Sequence, residues 1–164
     1  MKKICFTVFV LLALCLFFLL SCGKSDTLFD ILSEAVAEDV TLSAGKIICY
    51  GRHYDKPMSE DSLSDCLGLS GYPEFAEKIE DFVLFSTING DYAEVALIRL
   101  YKASDTREAA LFFERRITDA KRALSASKKQ GCAENGYVEV KGNTVALYML
   151  PKESKTDAKI KDKL

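Results

Sequence analysis

Two strand pairs separated by one long amphipathic helix constrain this chain more than any other feature. Phe82 to Ile88 and Tyr92 to Lys102 are apolar, β-prone runs joined by the tight turn Asn89-Gly90-Asp91. Asn-Gly between two such runs is the strongest short-range hairpin signal a sequence offers. In the second run Val95 and Leu97 alternate with Ala96, Ile98 and Leu100, so both faces are apolar, as in a central strand. Ser104 or Asp105 then caps a helix that runs to about Ser127. Ala109, Phe113, Ile117, Ala120 and Leu124 form its apolar stripe, with Phe112 on the flank. Gly131 breaks it. Tyr137 to Val140, the turn Lys141-Gly142-Asn143, and Thr144 to Leu150 make a second hairpin, with Val138, Val140, Val145, Leu147 and Met149 on one side and Pro151 closing the strand.

The stretch before the first hairpin adds smaller pieces. Ser25 or Asp26 can cap a helix to Asp39, in which Leu28, Ile31, Leu32, Ala35 and Val36 share a face. Lys46–Tyr50 reads as a strand, Gly51 to Ser59 as a polar loop, and Ser59 as the cap of a short helix from Glu60 to Leu67. Pro73 fits the first turn of another short helical piece ending near Lys78. The expected fold is α+β: an antiparallel sheet of four to five strands built from two joined hairpins, with the two main helices packed on one face. It occupies 26–150 as a single domain, and 151–164 is a polar, lysine-rich tail, frayed or briefly helical.

The first 21 residues stand apart. Lys2 and Lys3 precede a run of seventeen residues, Ile4 to Leu20, that is apolar except for Thr7. That length approaches the roughly 20 residues of a spanning helix, so an uncleaved anchor or an ordinary secretory peptide stays open. Leu19-Leu20-Ser21-Cys22 favours a third reading, because it resembles the bacterial lipobox. A small residue precedes the cysteine, a leucine sits three before it, and the chain turns polar at Gly23-Lys24-Ser25. Residues 1–21 are then a lipoprotein signal peptide and 22–25 a lipidated N-terminus and short tether. Cys22 would carry a diacylglyceryl thioether, whose two acyl chains anchor stably at about 0.8 kcal/mol per buried methylene. The expected place is the extracytoplasmic face of a membrane, inner or outer left open.

Without Lys2 and Lys3, the 22 basic residues become 20 against 24 acidic, a net −4 with His53 neutral. That balance argues against a nucleic-acid partner. Beyond Cys22 the mature chain has Cys49, Cys66 and Cys132, an odd set that allows at most one disulfide. They are read chiefly as small buried apolar residues, with Cys66–Cys132 the favoured bridge if one forms. No cysteine pair has metal-ligand spacing, the acidic Glu34, Glu38 and Asp39 lack a calcium-loop pattern, and there is no phosphate-cradling glycine loop. Neither a metal nor a cofactor is expected.

Several stretches together resemble an uncharacterised family of small, mostly Gram-positive bacterial lipoproteins. They are Met58-Ser59-Glu60-Asp61-Ser62-Leu63, Leu67-Gly68-Leu69, Tyr92-Ala93-Glu94-Val95-Ala96-Leu97, Glu114-Arg115-Arg116-Ile117 and Val138-Glu139-Val140-Lys141-Gly142-Asn143. The similarity covers roughly Ser25 to Leu150, and this chain lacks the longer segment expected between the main helix and the final hairpin. The resemblance implies a lipid-anchored surface module and carries over no catalytic residue.

Arg52-His53-Tyr54-Asp55 mixes a histidine with a carboxylate and a phenol, but adjacent loop residues cannot all face one pocket, and no serine elbow accompanies them. His53 is therefore read as a solvated or hydrogen-bonded loop residue. Arg107, Arg115, Arg122 and Lys129 fall nearly opposite the apolar stripe of the main helix and could meet an anionic surface; the plainer reading is a solvated helix face. Arg116 lies beside the stripe instead, placed to lean toward a carboxylate such as Glu94. The expected function is non-enzymatic binding of an envelope component or partner protein through a sheet face or edge strand. A small-ligand-binding accessory lipoprotein is the alternative, to be recognised by a pocket with converging polar groups.

Overall fold

The computed structural model describes residues 26–69, 72–88, 90–127 and 131–164. The expected signal peptide, Cys22 and the expected tether, Asn89 of the first hairpin turn, and Lys129 of the expected basic face lie outside them. Five strands form one antiparallel sheet in the order β1-β2-β3-β5-β4. They are β1 (Gly45–Tyr50), β2 (Ile79–Thr87), β3 (Glu94–Leu100), β4 (Tyr137–Lys141) and β5 (Thr144–Met149). The two hairpins β2–β3 and β4–β5 join through β3 and β5, and β1 adds beside β2. Among the described residues four α-helices accompany the sheet: α1 (Leu28–Ala37), α2 (Glu60–Leu67), α3 (Thr106–Ser127) and α4 (Thr156–Lys163).

The α+β class and the five-stranded sheet are as the sequence requires, but the two main helices do not share a face. α3 lays Ala109, Phe113, Ile117 and Leu124 over Phe82, Leu84, Ile98, Val145 and Leu147. α1 lays Leu28, Ile31, Leu32 and Ala35 over Val83, Phe85, Val95, Leu97 and Tyr148 on the other side. The reason lies in the strands themselves. β2, β3 and β5 carry apolar side chains at odd and even positions alike, so the period-two alternation leaves no face that water can cover. Both faces of the central strands are therefore covered; Tyr148, for instance, is 1% exposed beneath α1 and α4. The outer strands β1 and β4 are the partly exposed ones among the described residues.

Local signals set most boundaries. Thr27, rather than Ser25 or Asp26, caps α1: its hydroxyl accepts from Asp30 N at 3.1 Å, and the Asp30 carboxylate accepts from Thr27 N at 3.1 Å, a capping box. Ser59 caps α2, and Gly68 ends it in the left-handed region at φ 67°. The first hairpin loop is wider than a tight turn, because Asp91 turns its carboxylate inward to accept from Thr87 Oγ and from Ala93 N at 2.9 Å. Strand pairing consequently starts at Glu94 instead of Tyr92. In the second hairpin Lys141 pairs with Thr144, so the turn is Gly142 and Asn143 alone, and the strand runs one residue past the expected end at Val140.

The chain beyond Pro151 folds. α4 buries Ile160 and Thr156 against the α1 side, and Asp39 at the end of α1 accepts from Ser154 Oγ at 2.6 Å and Thr156 Oγ at 2.7 Å. Cys49, Cys66 and Cys132 are all free thiols, so the favoured Cys66–Cys132 bridge is absent. Cys132 is instead fixed by its backbone, which donates to Asp91 O at 2.9 Å.

Candidate binding cleft and the cluster behind it

β1 ends at Tyr50, and the chain then makes a loop that leaves and rejoins the strand edge, with Met58 N donating to Cys49 O at 2.8 Å. The loop turns on Gly51, whose φ of 147° disfavours any side chain. A Cβ there would also press on His53 and Tyr54 at 3.2 Å. Opposite the loop, β2 starts irregularly. Ile79 pairs with Leu100 and Asp81 with Arg99, so Glu80 is an extra residue pushed out of the ladder. Bulges of this kind re-aim side chains at sheet ends. Here Glu80 is turned to solvent and Asp81 inward to full burial.

On the α1 side, the loop closes over Asp81. Tyr54 Oη donates to Asp81 Oδ1 at 2.6 Å, and the backbone N–H of Leu28 at the start of α1 lies near the same carboxylate and favours its charged form. His53 Nε2 lies 3.3 Å from Oδ2 but is poorly directed, which leaves Oδ2 buried without a hydrogen bond. Burial pushes the Asp81 carboxyl above its ordinary range, against the opposing effects of Tyr54, His53 and Arg99. Burial and then the Asp81 bond push the Tyr54 phenol upward too, so it stays a proton donor. His53 and Tyr54 thus face one group despite being adjacent, contrary to expectation.

This cluster has the makings of a Cys–His–Asp set, since Cys49 adjoins it, yet its chemistry points elsewhere. Burial first, and then the Asp81 charge, raise the Cys49 thiol, whereas a nucleophilic cysteine needs its thiolate stabilised. The cluster is a clasp that fastens the loop to β2 and α1. Asp81 was the residue hardest to find from sequence; its one signal is a carboxylate at an inward position of the apolar run Ile79 to Phe85.

Because Asp81 is buried with a raised pKa, the folded state holds its proton more tightly than the unfolded chain does. Its contribution to stability is therefore complete at low pH and lost as pH rises from the ordinary aspartate value through the folded one. Asp81→Asn is expected to stabilise the chain at neutral pH by about 1 kcal/mol and to flatten that slope. Thermal melts at pH 5 and pH 7 test it. A less stable variant at pH 7 would mean that the pairing with Arg99 and His53 outweighs burial.

On the α3 side the same loop walls a half-open cleft of about 370 Å³. Tyr50, Met58, Ala76 and Ile79 supply its apolar surface, and Tyr101, just past β3, stands over it 55% exposed. Arg52, Glu60, Glu77 and Glu80 supply its charges. Comparisons with models of protein families, with curated proteins and with solved structures find no match to this chain. The cleft has to be read from its own residues.

The basic face expected on α3 is partly present. Arg107, Arg115 and Arg122 are exposed along its outer side, and Arg122 is engaged by Asp119 at 3.1 Å. They stand singly, about 11 Å apart along the axis, with exposed Leu111 between the first two. Arg116 is different. Its guanidinium grips both oxygens of Glu94 on β3, one bond measuring 2.8 Å, and donates to Cys66 O at the end of α2 at 2.7 Å. That is the structural ion pair expected of it. Among the described residues, no group of three or more His, Cys, Asp or Glu is placed to hold a metal ion, and no helix is long and apolar enough to cross a membrane.

Proposed function

We propose that this chain is a lipid-anchored, extracytoplasmic binding module that captures a small ligand in the cleft at the sheet end and catalyses no reaction. The observation that carries the reading is the cleft itself. With helices over the central strands on both faces, it is a concave surface at the sheet end where aromatic, apolar and charged groups converge, and its volume falls within the range of small-ligand sites. The lipobox at Leu19 to Cys22 and the resemblance to small bacterial lipoproteins support the anchor. The raised Cys49 thiol speaks against covalent catalysis. A second reading, a partner protein added at an edge strand, is favoured by β4, whose Val140 is 49% exposed on a strand paired on one side alone.

Two changes in cells test the proposal. Cys22→Ala is expected to lose metabolic palmitate label and to leave the membrane fraction; unlabelled wild type that stays in the membrane would overturn the anchor. A photo-crosslinking residue in place of Tyr101 is expected to gain a discrete small-mass adduct that the same residue in place of Leu111 does not. Identical mass spectra at the two positions would remove the cleft as a ligand site.

A further inference from the structure

We infer that the cleft takes an organic cation, an ammonium group held over the rings of Tyr50 and Tyr101 and against Glu77 and Glu80; this rests on the reading of the cleft as a ligand site. Charge selects the ligand. Glu60, Glu77 and Glu80 outnumber Arg52, and none of these four makes an ion pair with another described residue. The neighbouring cation Lys78 is already engaged, 2.7 Å from Glu108 on α3. An anion would meet a net charge of −2, and a bare divalent metal would find no converging set of ligands among the described residues. A larger, softer cation suits aromatic walls with carboxylates at the rim, because the negative face of each ring attracts it at modest desolvation cost.

The molecule already contains this arrangement elsewhere, filled by its own side chain. Lys161 of α4 sits 5.0 Å from the Tyr137 ring centre and 5.7 Å from that of Tyr148, with Glu139 at 3.0 Å. Its ammonium is pushed up to about 12 by the nearness of Tyr137 and Glu139. Two tyrosines and a carboxylate therefore suffice in this fold to hold an ammonium group. The cleft lining brings together the same kinds of group, two tyrosines and three carboxylates, with Arg52 as its single cation, and no cation sits over the Tyr50 or Tyr101 ring among the described residues.

The test uses the full lipidated chain in detergent micelles, titrated calorimetrically with cadaverine, with pentanediol as its uncharged counterpart, and with an acetylated Gly-Lys-Gly peptide. Saturable binding of cadaverine or the peptide, and not of pentanediol, is expected. The amine and the peptide distinguish a free small cation from a lysine side chain. Glu77→Gln with Glu80→Gln should weaken binding about tenfold, and Tyr101→Leu about threefold. Glu114→Gln, on the exposed side of α3, should leave it unchanged. Pentanediol binding as tightly as cadaverine would overturn the cation and leave the cleft as a ligand site. Cation binding untouched by the glutamine and leucine variants would place it elsewhere and overturn the inference. No saturable binding of either cation would overturn it too, and the Tyr101 crosslink would then decide separately whether the cleft holds another ligand.

Discussion

Arg116→Met is expected to cost about 3 kcal/mol of stability, a loss of roughly 10 °C in Tm, although it removes a single side chain from a helix flank. The expectation follows from what stays behind. Glu94 is 7% exposed, and both its oxygens are bonded to Arg116; Cys66 O loses its donor in the same change. A buried carboxylate stripped of its partner has to be held charged without solvent or take up a proton, and either is expensive. Methionine preserves the stem's packing against the sheet, so the loss reports the charge rather than a cavity. Glu94→Gln combined with Arg116→Met should recover most of it, because the orphaned charge is then gone. The comparison is Arg122→Met, whose pair with Asp119 is exposed on both sides and should be worth about 0.5 kcal/mol or less. Chemical denaturation of the three variants against wild type checks the set; equal losses for Arg116→Met and Arg122→Met would show that the Glu94 pair holds nothing together.

Asp39→Asn should cost about 2 kcal/mol and loosen the C-terminal helix selectively. One carboxylate there accepts four hydrogen bonds: from Thr41 N at 2.9 Å and Thr41 Oγ at 2.6 Å, and from Ser154 and Thr156 on the approach to α4. Burial pushes the group upward, and the four bonds overcome that and hold it far below the usual carboxylate range. An amide can keep some of these bonds, but it turns an N–H toward donors. The sign with pH is opposite to that of Asp81. A depressed folded pKa means stability that is fully present above the unfolded value near pH 4 and is lost as pH falls below it. Wild type should therefore lose stability across that limb, and Asp39→Asn should lose less there. Hydrogen exchange locates the effect: protection of 156–163 should drop while β3 and β5 keep theirs. A uniform drop would mean that α4 is integral to the core and not a separately fastened element.

What the sequence revealed and what it hid divide along the range of the interactions. The hairpins, the α3 stripe and the Ser59 cap rest on residues within a few positions of each other, and they were legible. The Arg116–Glu94 pair was also visible, because a cation flanking an apolar stripe has to reach the sheet that the stripe covers. The Asp81 clasp was not. Its partners Tyr54 and Leu28 are 27 and 53 positions away, and its inward aim depends on the bulge at Glu80. The distribution of α1 and α3 to opposite faces is implicit in the two-sided apolar strands, but neither helix's own stripe says which face it covers. The cleft has no linear signature, for Tyr50, Glu77 and Tyr101 meet only once three strands are in register.

The closeness of the Leu28 N–H to Asp81 sets a length scale. It pins the first turn of α1 to the strand end from which the cleft opens, and Lys163 pairs with Asp26 at 3.7 Å on the same flank. Four residue steps separate Asp26 from Cys22, so a fully extended leash between them spans no more than about 14 Å. On the lipid-anchored reading, the domain hangs by the corner nearest its own cleft, and the cleft samples a thin layer beside the headgroups instead of the open compartment. Ligands concentrated at that surface would be met at their interfacial density, so an affinity too weak for scavenging from solution would be enough.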